Sequence, residues 1–162
     1  MSEVRLEVWE RAWAEHVGTM RHEANEGKRD AAYYRPELME DNLRASIAAC
    51  CAEIAVAKRL NRYWDGSFWT AEQHSQYSDR PDVGSNTEVR RTRRRGGPLV
   101  VRKRDVEAER LMVLAYPVPD DFAVVDVIGW AYAVEVWDKG EPAHYDPSGG
   151  TRLVRRELLY SL

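Results

Sequence analysis

The sequence predicts an α+β domain in which N-terminal helices pack on a mixed, largely antiparallel sheet of about five strands. Two observations predict it. Apolar residues recur at helical spacing through the first 60 or so positions, and after Gly66 the pattern changes to short β-branched and aromatic runs separated by Gly, Pro, Asp and Asn. A length of 162 residues, 44% of them hydrophobic and 31% charged, suits one folded domain, 1–162, and is too apolar for a disordered chain.

Within 4–24, Leu6, Trp9, Trp13, Val17 and Met20 are spaced by three and four and predict an amphipathic helix that Gly27 stops. Pro36 suits an early position of a second helix, which runs to about Arg62. Its stripe is Leu43, Ile47, Cys50 or Cys51, Ile54, Ala57 and Leu60, and Asn61 with Asp65-Gly66 supplies the exit. Strands follow at 81–83, 87–91, 99–102, 111–116 and 122–128, with turns at Ser85-Asn86 and 117–121. Residues 132–137 read equally as a strand or a short helix, and the tail 153–162 is expected to pack back onto the body. The chain thus divides into helices (1–65), sheet and site (66–130) and a C-terminal extension (131–162).

Several classes of function are excluded or disfavoured. No apolar run approaches the roughly 20 residues needed to cross a bilayer, and 1–15 carries acids and tryptophans in place of a signal-peptide core, so the expected compartment is the cytoplasm. Adjacent Cys50 and Cys51 have neither disulfide geometry nor metal-ligand spacing and are read as core thiols. The tryptophans Trp9, Trp13, Trp64, Trp69 and Trp130 are read as core fillers. A net charge of −3 disfavours a protein that coats nucleic acid, but the charge is uneven. Arg90, Arg91, Arg93, Arg94, Arg95, Arg102, Lys103 and Arg104 fall within 89–104 with no acid among them.

Chemistry concentrates in Pro81-Asp82-Val83-Gly84-Ser85-Asn86-Thr87-Glu88-Val89-Arg90. Two acids lie at strand ends across a tight turn, so both carboxylates can converge on one point. A hard cation such as Mg²⁺ takes oxygen ligands and keeps several waters, so one or two carboxylates plus a carbonyl suffice. The period of two turns Glu88 and Arg90 to one side and Val89 to the core.

With Glu53 on the preceding helix, these residues resemble the PD-(D/E)XK nuclease superfamily, whose fold is restriction-endonuclease-like. More narrowly, Ala52-Glu53-Ile54-Ala55-Val56, the Asp-Val-Gly and Glu-Val-Arg runs, and 122–130 ending in Ile128-Gly129-Trp130 resemble small bacteriophage-encoded members. The resemblance covers roughly 43–130. It implies a metal-dependent deoxyribonuclease in which Asp82, Glu88 and the Val89 carbonyl hold Mg²⁺ or Mn²⁺, Glu53 joins the site, and Arg90 faces the phosphate. It also implies the host-cell cytoplasm if the chain is phage-encoded.

Arg90 stands where the family usually has lysine and cannot shed a proton, so it is expected to clamp phosphate and not to act as a base. The stretch 104–110 is short for the family's crossover helix, so a reduced or rearranged core is expected. The arginine loop, through Arg91, Arg93, Arg94, Arg95, Arg102 and Lys103, is expected to grip the DNA backbone. Cutting both strands of a duplex would call for a homodimer. The alternatives are a DNA-binding module of the same fold without turnover, and an interaction factor whose basic loop meets an acidic partner.

Overall fold

A computed structural model describes residues 2–25, 42–70 and 72–162. The chain runs β1 (Ser2–Arg5), α1 (Val8–Asn25), α2 (Asn42–Leu60), α3 (His74–Tyr77), β2 (Thr87–Arg91), β3 (Leu99–Arg102), α4 (Lys103–Glu107), β4 (Leu111–Pro117), β5 (Val124–Tyr132), α5 (Ala133–Val136), β6 (Glu141–Pro142) and β7 (Thr151–Val154). The expected α+β class is found. In place of one sheet of about five strands there are two, a four-stranded sheet in the order β1-β5-β4-β2 and a three-stranded sheet in the order β3-β7-β6.

The second helix is buried all round its middle. Ala48 and every residue from Cys50 to Ala57 are buried, because α1 covers one side and the larger sheet the other. Small side chains permit that approach. A Cβ on Gly18 of α1 would sit 2.7 Å from the Ile47 Cα, so only glycine fits the helix crossing. Gly18→Ala is therefore expected to lower stability by about 1–3 kcal/mol through overpacking, outweighing the ~1 kcal/mol that alanine gains in an open helix. Urea unfolding measures the sign.

Asn61 closes α2 in the left-handed conformation, φ 51°, and the Arg62 N–H donates back to the Ala57 carbonyl at 2.8 Å. The expected start near Pro36 lies outside the described residues. The first helix begins later than its spacing predicts, because residues 2–5 pair with β5 and place Val4 and Leu6 in the core at a period of two. The Glu10 carboxylate accepts the Glu7 N–H at 2.7 Å and starts α1 there. Trp9, expected on the buried stripe, is left in the first turn, largely exposed and stacked near Trp13.

Alternation along the central strands builds a three-layer body. Val89, Val113, Ala115, Val125 and Val127 face the helices. Met112, Leu114 and Ile128 face the smaller sheet, where they meet Leu99, Val101 and Val154. Residues 151–154 pair with β3, so 131–162 is no appendage, and Tyr160 exchanges backbone hydrogen bonds with Trp130 at 2.8 and 2.9 Å. The ambiguous stretch after Tyr132 is helical over Ala133–Val136. The expected strand at 81–83 reduces to one bridge between Val83 and Thr87, since Pro81 has no N–H to give a ladder.

Strand β2 is the edge of the larger sheet and runs parallel to β4, whereas β4–β5 and β5–β1 are antiparallel. The parallel pair requires a crossover, which β3 and the five-residue α4 supply.

Candidate active site

Because β2 is an edge strand, every second backbone group points away from the sheet. The Val89 N–H is one of them and donates to Asp82 Oδ2 at 2.8 Å. The turn that makes this possible runs from Val83 to Thr87, closed by paired backbone bonds of 3.1 and 3.2 Å, with Gly84 at φ 59° where a side chain would be strained. In an extended strand the carbonyl of a residue points the same way as its N–H, so the Val89 carbonyl faces the Asp82 side.

Burial pushes the Asp82 carboxyl well above the usual carboxylate range, and the charges of Glu53 and then Glu88 push it further. The Val89 N–H and Arg90 oppose the shift but do not cancel it. Three acids drawn from α2, the turn and β2 therefore share one electrostatic neighbourhood that disfavours its own negative charge.

Glu88 and Arg90 lie on one side of β2, as the period of two requires. Glu88 is 8% exposed and its Oε1 lies 2.5 Å from Arg90 Nη1. The rest of the guanidinium is committed to the protein. Nη2 donates to Asp105 Oδ1 and Oδ2 at 3.1 and 2.8 Å, and Nε donates to the Val100 carbonyl at 3.2 Å. The fork expected to face a phosphate instead locks β2 to α4. Asp105, 2% exposed, also accepts the Arg102 N–H at 2.8 Å and so caps the start of α4.

Glu53 is likewise held on both oxygens, Oε1 by Arg21 Nη1 and Oε2 by Trp64 Nε1, each at 2.7 Å. The Arg21 Nε donates to the Ser67 carbonyl at 3.0 Å, which ties the loop after α2 to this corner. Burial lowers the affinity of Arg21 for its proton, but Glu53, Cys50 and Asp82 together raise it by more.

Two cavities meet here, of about 220 and 320 Å³, and both are lined by Ser78, Arg80, Glu88 and Arg104. The smaller adds Arg21 and Asp82, the larger Arg110 and Asp105. Asp105, Arg21 and Arg80 were not singled out by the sequence reading, and Arg104 figured there only as one of a basic run. Asp105 carried a usable signal, an acid at the third position of a helix start. Arg21 carried none, because its partner lies 32 positions away.

The arginine loop leaves β2 at the end opposite Asp82, so Arg91 begins about 10 Å from Glu88 along the strand. Arg93 and Arg94 are exposed at its tip. Arg95 folds back, with Nη2 3.2 Å from the buried Asp126 Oδ2 and its guanidinium 5.6 Å from the Tyr116 ring. Arg102 and Lys103 are exposed at the start of α4, beside a third cavity bordered by Tyr145 and Asp146.

No group of three His, Cys, Asp or Glu side chains is placed to hold a metal ion among the described residues. A cation here would rest on two carboxylates plus backbone oxygen. Cys50 and Cys51 are buried free thiols, and burial pushes Cys51 up to about 12, so neither is a nucleophile at neutral pH. No helix among the described residues is long and apolar enough to cross a membrane. Comparison with protein-family models, with curated protein sequences and with solved structures returns no match for the chain.

Proposed function

We propose that this cleft is the active centre of a Mg²⁺-dependent deoxyribonuclease of the PD-(D/E)XK type, with a reduced restriction-endonuclease-like core. The observation that carries the reading is that Asp82 and Glu88 line one cleft together with Arg21, Arg80 and Arg104, with the Asp82 proton held high by burial and by the charges of Glu53 and Glu88. Acids that repel one another beside arginines suit a cation and a phosphodiester together. The parallel pairing of β2 with β4 across α4 also supports that core.

The hard oxygen set fits Mg²⁺ or Mn²⁺, which Asp82, Glu88 and the Val89 carbonyl would hold. The chemistry it would supply is a lowered pKa for bound water and compensation of negative charge on the phosphate. The chain's own residues do the remainder. Arg80 and Arg104 donate to the phosphate oxygens from the wall that both cavities share. Arg90 is a positioning residue that fixes the Glu88 carboxylate, and Glu53 holds Arg21 at the cleft mouth. The exposed Arg93 and Arg94 make more distant contacts to the DNA backbone.

Purified protein with Mg²⁺ or Mn²⁺ is expected to cleave duplex, branched or single-stranded DNA. Glu88→Gln is expected to reduce the rate by at least ~100-fold, the scale of one lost electrostatic contact at a reacting centre, with the circular dichroism unchanged. Intact DNA of all three kinds would contradict the reading.

A DNA-binding module without turnover is the second reading, favoured by the internal commitment of Arg90. It predicts salt-dependent binding that persists in EDTA without cleavage. Under either reading Arg94→Ala should flatten the slope of log K against log salt by about 0.9 for duplex DNA, the contribution of one neutralised phosphate.

A further inference from the structure

The smaller cavity is lined by two aromatic side chains as well as by the carboxylates. Phe68 and Trp69 line it together with Arg21, Arg80, Asp82 and Glu88. Phe68 is 44% exposed, and the half-buried Trp69 ring lies 6.2 Å from Tyr77 at 37°. The Arg80 guanidinium covers the Tyr77 ring at 5.8 Å. The segment carrying both rings is anchored, since Arg21 holds the Ser67 carbonyl and the Asp65 carboxylate accepts the Ser67 N–H at 2.9 Å.

A sugar–phosphate backbone offers exposed rings only the C–H groups of its sugars, whereas every nucleobase has a flat π-face that stacks on them over its whole area. In a duplex those faces are already stacked, so rings beside the reacting phosphate can meet only a base that is out of the stack. A cavity of about 220 Å³ is below the range of drug-sized ligands and suits a single base.

We infer that the cleft accepts a single-stranded or locally unpaired nucleotide, stacking its base on Phe68 and Trp69 while the adjoining phosphate lies against Arg80 and Arg104 at the carboxylates. This rests on the phosphodiester reading above and narrows its substrate. Phe68 and Trp69 are specificity-determining residues in it.

The test is equilibrium binding in EDTA of a labelled short oligonucleotide carrying one 2-aminopurine, as a single strand and as the matching duplex. The native protein should bind the single strand at least ~10-fold more tightly and quench the 2-aminopurine emission. Phe68→Ala, at an exposed position, and Trp69→Ala should each weaken single-strand binding by roughly 5- to 150-fold and restore the emission, the range set by stacking of one base. Duplex binding should be left unchanged. Equal affinity for the two forms, or unchanged binding in both variants, overturns the inference. Tight stacking on these rings in a protein that cuts no DNA with Mg²⁺ would sink the nuclease reading and keep this one. Duplex cleavage indifferent to both substitutions would do the reverse.

Discussion

Replacing Arg90 with methionine is expected to lower the free energy of unfolding by about 3–5 kcal/mol, the cost of removing one partner from a buried ion pair. The arginine side chain is 15% exposed, and those of Glu88 and Asp105 are 10% and 3% exposed, so water screens none of them well. Without the guanidinium two buried carboxylates lose the cation bonded to them, and the Val100 carbonyl loses its donor. Lysine would not restore the arrangement, because one ammonium cannot reproduce a planar fork that meets Glu88, both Asp105 oxygens and a carbonyl at once.

The pair Arg90→Met with Asp105→Leu should recover only part of the loss, since one buried carboxylate is removed but Glu88 stays without its partner and the Arg102 N–H loses its acceptor. Urea unfolding of the two variants separates the penalty of an orphaned charge from that of lost packing. A loss below about 1 kcal/mol in the single variant would mean that the network is solvated and contributes as little as a surface pair.

Asp82→Asn should move activity and stability in opposite directions. The asparagine oxygen can still accept the Val89 N–H, so the turn survives, but a cation loses a carboxylate and cleavage should fall by at least ~100-fold. Stability follows from the proton. Burial, Glu53 and Glu88 hold the folded carboxyl well above its ordinary range, so between the ordinary and the raised value the folded protein keeps a proton that the unfolded chain has released. The stability associated with that proton is complete below the ordinary carboxylate value near ~4. It is lost as the pH rises through the folded value.

The wild type should therefore weaken relative to Asp82→Asn across that window and stay the weaker protein above it. Thermal melts of both proteins from acid to mildly alkaline pH read the difference directly. A difference that does not change with pH would show that the three acids do not interact as their positions imply.

Local pattern made some of this legible and long-range pairing hid the rest. The strands Thr87–Arg91 and Leu99–Arg102 are legible to the residue, because each carries β-branched residues directly after strong turn formers, Ser85-Asn86 and Gly96-Gly97-Pro98. The side on which Glu88 and Arg90 lie followed from the period of two. What Arg90 does there did not follow, because Asp105 comes to it only when the chain crosses from β3 into α4.

The second sheet was hidden for the same reason. Thr151–Val154 is too short and mixed to read as a strand alone, and its partner lies some fifty positions earlier. Ser2–Arg5 is hidden at the start of the first helix because Leu6 fits a helical spacing as well as a period of two. Its residue type alone suggests a core position for Trp69, but it lines the cleft beside an exposed Phe68, a distinction set by tertiary surroundings.

Calorimetric titration of the purified protein with Mn²⁺, in buffers of different ionisation enthalpy, tests the central claim most directly. One ion per chain should bind to the wild type with release of part of a proton, because a cation beside Asp82 lowers the raised carboxyl. Binding should vanish in both Asp82→Asn and Glu88→Gln. Heats that are absent from the wild type, or that are the same in all three proteins, would contradict a metal site built on these two acids.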